Sequence, residues 1–178
     1  EENIVFPVKY YISLNIVSST LGGIIFFIFS FSPFYSSFNY YRLSRVLGGM
    51  NKIFEMDAGT STLILIIIMI ISGIINLFIG GAWLHLWIRL FGGKEKYYQT
   101  IKAIAYGNTP NLLLGWLPFI GLAGVIWSFV LVIIGIKEYH EMNVGKVLLV
   151  LIVSGIMMTM IVSAIIFLIV AWLLSFTR

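Results

Sequence analysis

The stretch GNTPNLLLGWLPFIG, residues 107–121, decides the fold of this chain. It lies within an uncharged run, 103–136, that is too long for one upright membrane helix, which needs about 20 residues. Glycines on both sides of a Trp-Leu-Pro segment that contains Pro118 are typical of a turn in the middle of that run. We therefore predict a Pro/Gly-turned helical hairpin, with one helix over about 97–114 and the next over about 119–136.

The composition around this stretch is that of an integral membrane protein. Of 178 residues, 60% are hydrophobic and 10% charged, and the mean hydropathy is +1.04. Soluble domains have about a quarter charged residues. The absence of cysteine excludes a disulfide framework, a thiol nucleophile and a cysteine-ligated metal. The net charge of +4 comes from Lys and Arg scattered between apolar runs, which suits anionic lipid headgroups and not nucleic acid.

Uncharged runs predict an all-α bundle of five transmembrane helices in a single domain, residues 1–178. The spans are expected at about 10–31, 62–89, 97–114, 119–136 and 147–174. The alternative is a re-entrant hairpin with four full spans. Between the first two spans, apolar residues at helical spacing over 43–54 predict an interfacial amphipathic helix, although a plain loop is also compatible with the pattern.

Five spans place the N-terminus and the loops 89–102 and 137–146 on one side of the membrane. Seven of the eleven basic residues lie on that side: Lys9, Arg89, Lys94, Lys96, Lys102, Lys137 and Lys146. The positive-inside rule therefore predicts a cytoplasmic N-terminus and an outside C-terminus. In a prokaryote the membrane would be the plasma membrane.

Polar residues inside the predicted spans form a candidate intramembrane site: Asn76, Tyr106, Asn108, Pro110 and Asn111. Such groups can line a solute path where a helix is broken. Alternatively, the amides and Thr109 satisfy backbone groups freed by Pro110 and tie spans two and three together. We favour the structural role, because a coupled transporter usually needs a charged residue that these span interiors lack.

Small or polar residues also recur at four-residue steps on three spans, which predicts that these stripes face one another. The stripes are Ser72, Asn76 and Gly80; Ala103, Gly107, Asn111 and Gly115; and Gly155, Thr159 and Ser163.

The charged loops form a second candidate site, for a partner or for lipid: Lys94, Lys96, Lys137, Glu138, His140 and Glu141. Glu138, His140 and Glu141 could in principle bind a metal, but solvated headgroup-level residues are the preferred interpretation. His85 lies between two tryptophans at a span end, where a histidine needs no special role. Hydrolase and phosphate-loop motifs are absent, so we expect no catalytic residue, no metal and no cofactor.

Two segments, LFGGKEKYYQTIKAIAYGNTPNLLLGWLPFIG and IWSFVLVIIGIKEYHEMNVGKVLL, resemble the Yip1 domain family of multi-pass membrane proteins. The resemblance rests on the order of these residues: Gly92, Gly93, Lys94, Tyr106, Pro110, Trp116, Pro118, Trp127, Gly135, Glu138, His140, Gly145 and Lys146. It implies a five-helix bundle with a cytoplasmic N-terminus. Eukaryotic relatives are linked to Rab GTPases and vesicle trafficking, partly through a soluble N-terminal region. About nine residues precede span one here, which resembles the compact prokaryotic members.

The leading hypothesis is a non-enzymatic membrane scaffold or adaptor of the Yip1 type, with the loops 89–102 and 137–146 as its contact face. Its expected partners are the lipid bilayer, anionic lipid headgroups, a protein at the loops, and a second copy through Gly22 and Gly23 or Gly155. The alternative hypothesis is a small-solute transporter or channel with its site at the broken third helix.

Overall fold

The computed structural model describes residues 4–31 and 57–175, and every regular element in these ranges is a helix. The predicted interfacial helix over 43–54 lies outside the described residues. The helices are α1 (Val5–Ser30), α2 (Ala58–Ile75), a π-helical turn (Asn76–Gly80), α3 (Gly81–Leu90), α4 (Tyr97–Gly107), α5 (Thr109–Leu114), α6 (Ile120–Tyr139) and α7 (Val144–Ser175).

Four continuous helical segments are long and apolar enough to cross a membrane: Val5–Ser30, Gly59–Leu90, Ile120–Tyr139 and Val144–Trp172. The second of these runs through α2, the π turn and α3 without a break. The third predicted span is two shorter helices, α4 and α5, in succession. Together these elements confirm an all-α membrane protein built as a five-part helical bundle.

The break between α4 and α5 follows from Pro110, which has no N–H to donate to the carbonyl of Tyr106 four residues earlier. The Thr109 hydroxyl donates to that carbonyl oxygen at 2.7 Å. The Asn108 amide donates to the Ile104 carbonyl oxygen at 2.9 Å. The predicted repair of the backbone is therefore confirmed for Thr109. The Ile104 carbonyl oxygen already accepts from the Asn108 backbone N–H, so the Asn108 side chain adds a second bond there and repairs no free group.

The Thr109 hydroxyl also binds span one, a contact that the sequence did not indicate. Its Oγ1 lies 2.9 Å from the Tyr10 hydroxyl of α1. Since the Thr109 proton is directed to Tyr106, Tyr10 is the donor of this bond. One hydroxyl thus joins the helix break to α1.

Glycines bring the two arms of the hairpin into backbone contact. A Cβ atom at Gly124 of α6 would lie 2.9 Å from the Pro110 carbonyl oxygen. At the tip, the Ile120 N–H donates to the Pro118 carbonyl oxygen at 2.7 Å across Phe119, whose φ is 64°. This is a γ-turn, a tight and strained reversal. The Pro/Gly-turned hairpin predicted from residues 107–121 is confirmed.

The predicted facing of the small-residue stripes is wrong for α7, and it is also wrong for Ala103 and Gly107 of α4, which face α6. The N-terminal half of α7 packs against α3 and α6, with Val147 and Val150 buried, and the Trp83 indole N–H donates to the Ser154 carbonyl oxygen at 3.1 Å. A Cβ atom at Gly155 would meet no atom of the described residues within 4 Å. The stripe begins just where α7 leaves α3 and α6, so it faces neither of the two helices that α7 packs against.

Candidate intramembrane polar site

A cleft of about 420 Å³ lies between α1, α2, the π turn and α5, and we call it the polar cleft. Four asparagines and three serines are among its lining residues: Asn15, Asn76, Asn108, Asn111, Ser18, Ser19 and Ser72. Asn15 lies near the middle of α1, and Asn76 near the middle of Gly59–Leu90. Helices of these lengths span a bilayer, so the cleft lies near the membrane centre.

The wall between α1 and α2 is built from polar contacts and one glycine. Asn15 is 5% exposed and donates through Nδ2 to the Ile70 carbonyl oxygen at 3.0 Å. A Cβ atom at Gly73 would lie 2.5 Å from the Asn15 amide, so only glycine leaves room for that side chain. The Tyr11 hydroxyl donates to the Gly73 carbonyl oxygen at 3.4 Å.

Asn76 enters the cleft from the first position of the π turn. Its amide folds back over Gly80, where an added Cβ atom would lie 3.2 Å from Asn76 Oδ1. A π turn inserts one residue into a helix, and such turns occur frequently at functional sites.

The opposite wall comes from the break between α4 and α5. Asn108 sits in the break itself, and Asn111 follows one helical turn later, so both side chains share one face. The Asn111 backbone N–H donates to the Ser128 hydroxyl of α6 at 2.8 Å. Asn111 also lines the cleft.

The structure brings together three of the five predicted site residues, Asn76, Asn108 and Asn111. Tyr106 and Pro110 are not among the residues that line the cleft. The Tyr106 ring packs against Tyr10, with centroids 5.2 Å apart, and Pro110 packs against α6. Residues two positions from Asn108 point to the opposite side of a helix, which explains why these two were misplaced.

Helix α1 contributes a wall of the cleft that was not predicted from the sequence. Tyr11, Asn15, Ser18 and Ser19 fall at helical spacing on one face of that helix, and all four line the cleft. A polar stripe of this kind on an otherwise apolar span was the available signal.

The second candidate site, at the loops, is organised by two similar helix ends. At the end of α3, the Gly93 N–H donates to the Ile88 carbonyl oxygen at 2.8 Å, and Gly92 has a φ of +99°. At the end of α6, the Met142 N–H donates to the Lys137 carbonyl oxygen at 3.0 Å, and Glu141 takes the positive φ. Both are Schellman motifs.

These two ends touch, because a Cβ atom at Gly93 would lie 3.3 Å from Met142 Sδ. The solvent-facing residues of the segments 91–96 and 137–143 therefore form one surface, which we call the loop face. Lys94, Lys96, Glu138 and Glu141 are exposed on it, and Lys137 is half-buried with its Nζ 2.6 Å from Glu138 Oε1.

His140 does not belong to the loop face, which corrects the prediction. It is 1% exposed, and its Nε2 lies 2.9 Å from the hydroxyl of the buried Thr100. It is therefore separated from the exposed Glu138 and Glu141, and the described ranges contain no group of three or more side chains that could hold a metal.

A chain of hydrogen bonds links α3, α4 and the end of α6. Thr100 Oγ1 lies 2.8 Å from His85 Nδ1 as well as 2.9 Å from His140 Nε2. Burial lowers the pKa of His140 to about 4, and the neighbouring His85 and Arg89 act in the same direction. His85 thus has a structural partner that its position between two tryptophans did not indicate.

Comparison with known proteins identifies the family of this helical bundle. Neither the curated proteins nor the solved structures that were compared with the chain gave a match. A family model, described as the Yip1 domain, matches residues 5–173 and so includes the polar cleft, the broken helix and the loop face. The chain therefore belongs to the Yip1 domain family, as a multi-pass integral membrane protein.

Proposed function

We propose that this Yip1-domain protein binds a small uncharged polar solute in the polar cleft and gives it a path through the membrane, as a transporter or channel does. The observation that carries the proposal is the lining of the cleft. Asparagine, serine and tyrosine side chains supply its polar groups, and among the described residues that line it there is no Asp, Glu, Lys, Arg or His.

Solvation favours an occupied cleft. A polar amide in hydrocarbon without a hydrogen-bond partner costs about 2 kcal/mol or more. Asn76 is exposed and Asn111 half-buried, so their amides need water or a solute as a partner at this depth. A volume of about 420 Å³ lies within the range of small-molecule pockets.

The lining also favours a neutral solute. Each asparagine amide offers a donor and an acceptor, which suits hydroxyl or amide groups on a solute. An ion would lose its hydration at this depth, and the lining residues within 4–31 and 57–175 offer no opposite charge to compensate. The solute that suits the cleft therefore has several hydrogen-bonding groups and no net charge.

Flux into proteoliposomes tests the proposal. We expect the protein to raise the permeability to at least one neutral solute in a panel of urea, glycerol and hexoses, measured by stopped-flow light scattering. Asn111→Leu should reduce that increment about tenfold or more, because it removes an amide and fills the cleft. Thr159→Leu, a polar-to-leucine change on the exposed part of α7, serves as the control and should retain it. Permeability equal to that of empty liposomes across the panel would contradict the proposal.

A second candidate, the non-enzymatic scaffold, is favoured by the loop face. Two packed helix ends hold Lys94 and Lys96 exposed on a surface that also carries Glu138 and Glu141. The two lysines suit anionic lipid headgroups or an acidic protein segment. In this proposal the loop face is cytoplasmic, the N-terminus lies on the same side and the chain has no catalytic activity.

Charge reversal tests the loop face. Changing Lys94 and Lys96 to Glu should lower the amount of co-purifying anionic lipid, measured by mass spectrometry of the detergent-solubilised protein, about tenfold or more, since each basic residue contributes about 1 kcal/mol. Lys9→Glu, also exposed but on α1, is the matched control. Equal lipid retention by both variants would exclude Lys94 and Lys96 as the lipid contact.

A further inference from the structure

The π turn that carries Asn76 is held by a side chain from α4. The Tyr97 hydroxyl donates to the Phe78 carbonyl oxygen, inside the turn, at 2.7 Å. Tyr97 is the first residue of α4, and the turn interrupts the long helix that α4 packs against. A hydrogen bond from another helix thus reaches the point where the helical pattern is irregular.

Two consecutive glycines allow this approach. A Cβ atom at Gly81 would lie 3.6 Å from the Tyr97 hydroxyl oxygen and 2.8 Å from Ile101 Cδ1, so a larger residue would displace the Ile101 side chain beside Tyr97. A Cβ atom at Gly80 would lie 3.2 Å from Asn76 Oδ1. The Tyr97 hydroxyl and the Asn76 amide therefore lie against neighbouring residues of the same short segment.

The ring of Tyr97 is fixed as well as its hydroxyl. His85 packs edge-on against it, with ring centroids 5.6 Å apart and planes at 70°. His85 is held in turn by Thr100, 2.8 Å from its Nδ1. Because both ends of the Tyr97 side chain have partners, the tyrosine can hold the backbone of the π turn in place.

We propose that Tyr97 is a positioning residue of the polar cleft, which keeps the π turn formed and thereby directs the Asn76 amide at the cleft. This rests on the proposed function of the cleft. If the extra residue of the π turn were absorbed into regular α-helix, one end of the segment would rotate by about 100° relative to the other. After such a rotation, Asn76 could not line the cleft while the residues after Gly80 keep their present contacts with α4.

Hydrogen exchange of the turn tests this role directly. In Tyr97→Phe, which removes only the hydroxyl, amide exchange in a peptide that covers Asn76–Gly80 should become about fivefold faster, the effect of a hydrogen bond worth about 1 kcal/mol. Tyr98→Phe removes a hydroxyl from the next residue of the same helix and should leave that rate unchanged. Equal rates in the two variants would overturn the proposal, and so would faster exchange spread over all the helices, which indicates general destabilisation.

Solute flux separates this inference from the function on which it rests. Amide hydrogen exchange in the π turn is measured without a solute. It therefore tests the role of Tyr97 even if wild-type flux is absent and the transport proposal fails. Where wild-type flux is present, Tyr97→Phe should reduce it about fivefold and Tyr98→Phe should not. Full flux in Tyr97→Phe would overturn the positioning role while the transport function stands.

Discussion

Replacing Gly107 by alanine is expected to lower the free energy of unfolding by about 3 kcal/mol, at the upper end of the usual cost of overpacking. The new Cβ atom would lie 2.6 Å from Val132 Cγ2, 2.9 Å from the Val132 backbone nitrogen and 3.0 Å from its Cα atom. A side chain can move aside, but the backbone of α6 cannot move without separating the hairpin. Denaturant unfolding in detergent micelles measures the loss.

Gly155→Ala is the matched control for this substitution, because an added Cβ atom meets nothing within 4 Å among the described residues. Alanine also has a helix propensity about 1 kcal/mol better than that of glycine, so this variant should be as stable as the wild type or slightly more stable. Equal losses of stability in the two variants would show that α4 and α6 do not pack through Gly107.

Acidification is expected to destabilise the fold through His140, whose pKa burial lowers to about 4. In the unfolded chain the pKa of a histidine is about 6.5, so the unfolded state takes up a proton first as the pH falls. Stability is therefore full above pH 6.5, falls between about 6.5 and 4, and at pH 5 is lower by about 2 kcal/mol. Thermal unfolding in detergent from pH 8 to pH 5 follows this fall.

The two histidines of the chain allow a control for this pH dependence. His140→Gln, which keeps a polar side chain beside Thr100, should abolish most of the fall between pH 7 and pH 5. His85→Gln should retain most of it, because burial is the main cause of the lowered His140 pKa and His85 adds a smaller effect in the same direction. A fall of the same size in both variants would assign the acid sensitivity to other groups.

The hairpin was predictable from sequence because its causes are local. Pro110 removes a helical hydrogen bond whatever surrounds it, and Thr109, the adjacent hydroxyl, is within reach of the carbonyl left without a donor. Glycines on both sides of Pro118 mark the turn equally well. Such signals lie within a few residues of one another and need no knowledge of the packing.

The burial of His140 and the polar face of α1 could not be predicted in the same way. His140 is buried because Thr100, forty positions away along the chain, lies beside it, and a charged loop sequence suggests exposure instead. Asn15 contributes to the cleft because α2 presents Gly73 to it. Both placements depend on which helices are neighbours, and hydrophobic periodicity does not determine that arrangement in a membrane.

The central claim is that the polar cleft is accessible to water and solutes within the membrane. Single cysteines at Asn108, Asn111 and Leu113 can be placed without background because the chain has no cysteine. Each variant is treated in sealed vesicles with a membrane-impermeant thiol reagent from either side. We predict labelling at Asn108 and Asn111, which line the cleft, and none at Leu113, which is exposed but does not line it. No labelling at Asn108 and Asn111 from either side would show a dry structural break and contradict the account.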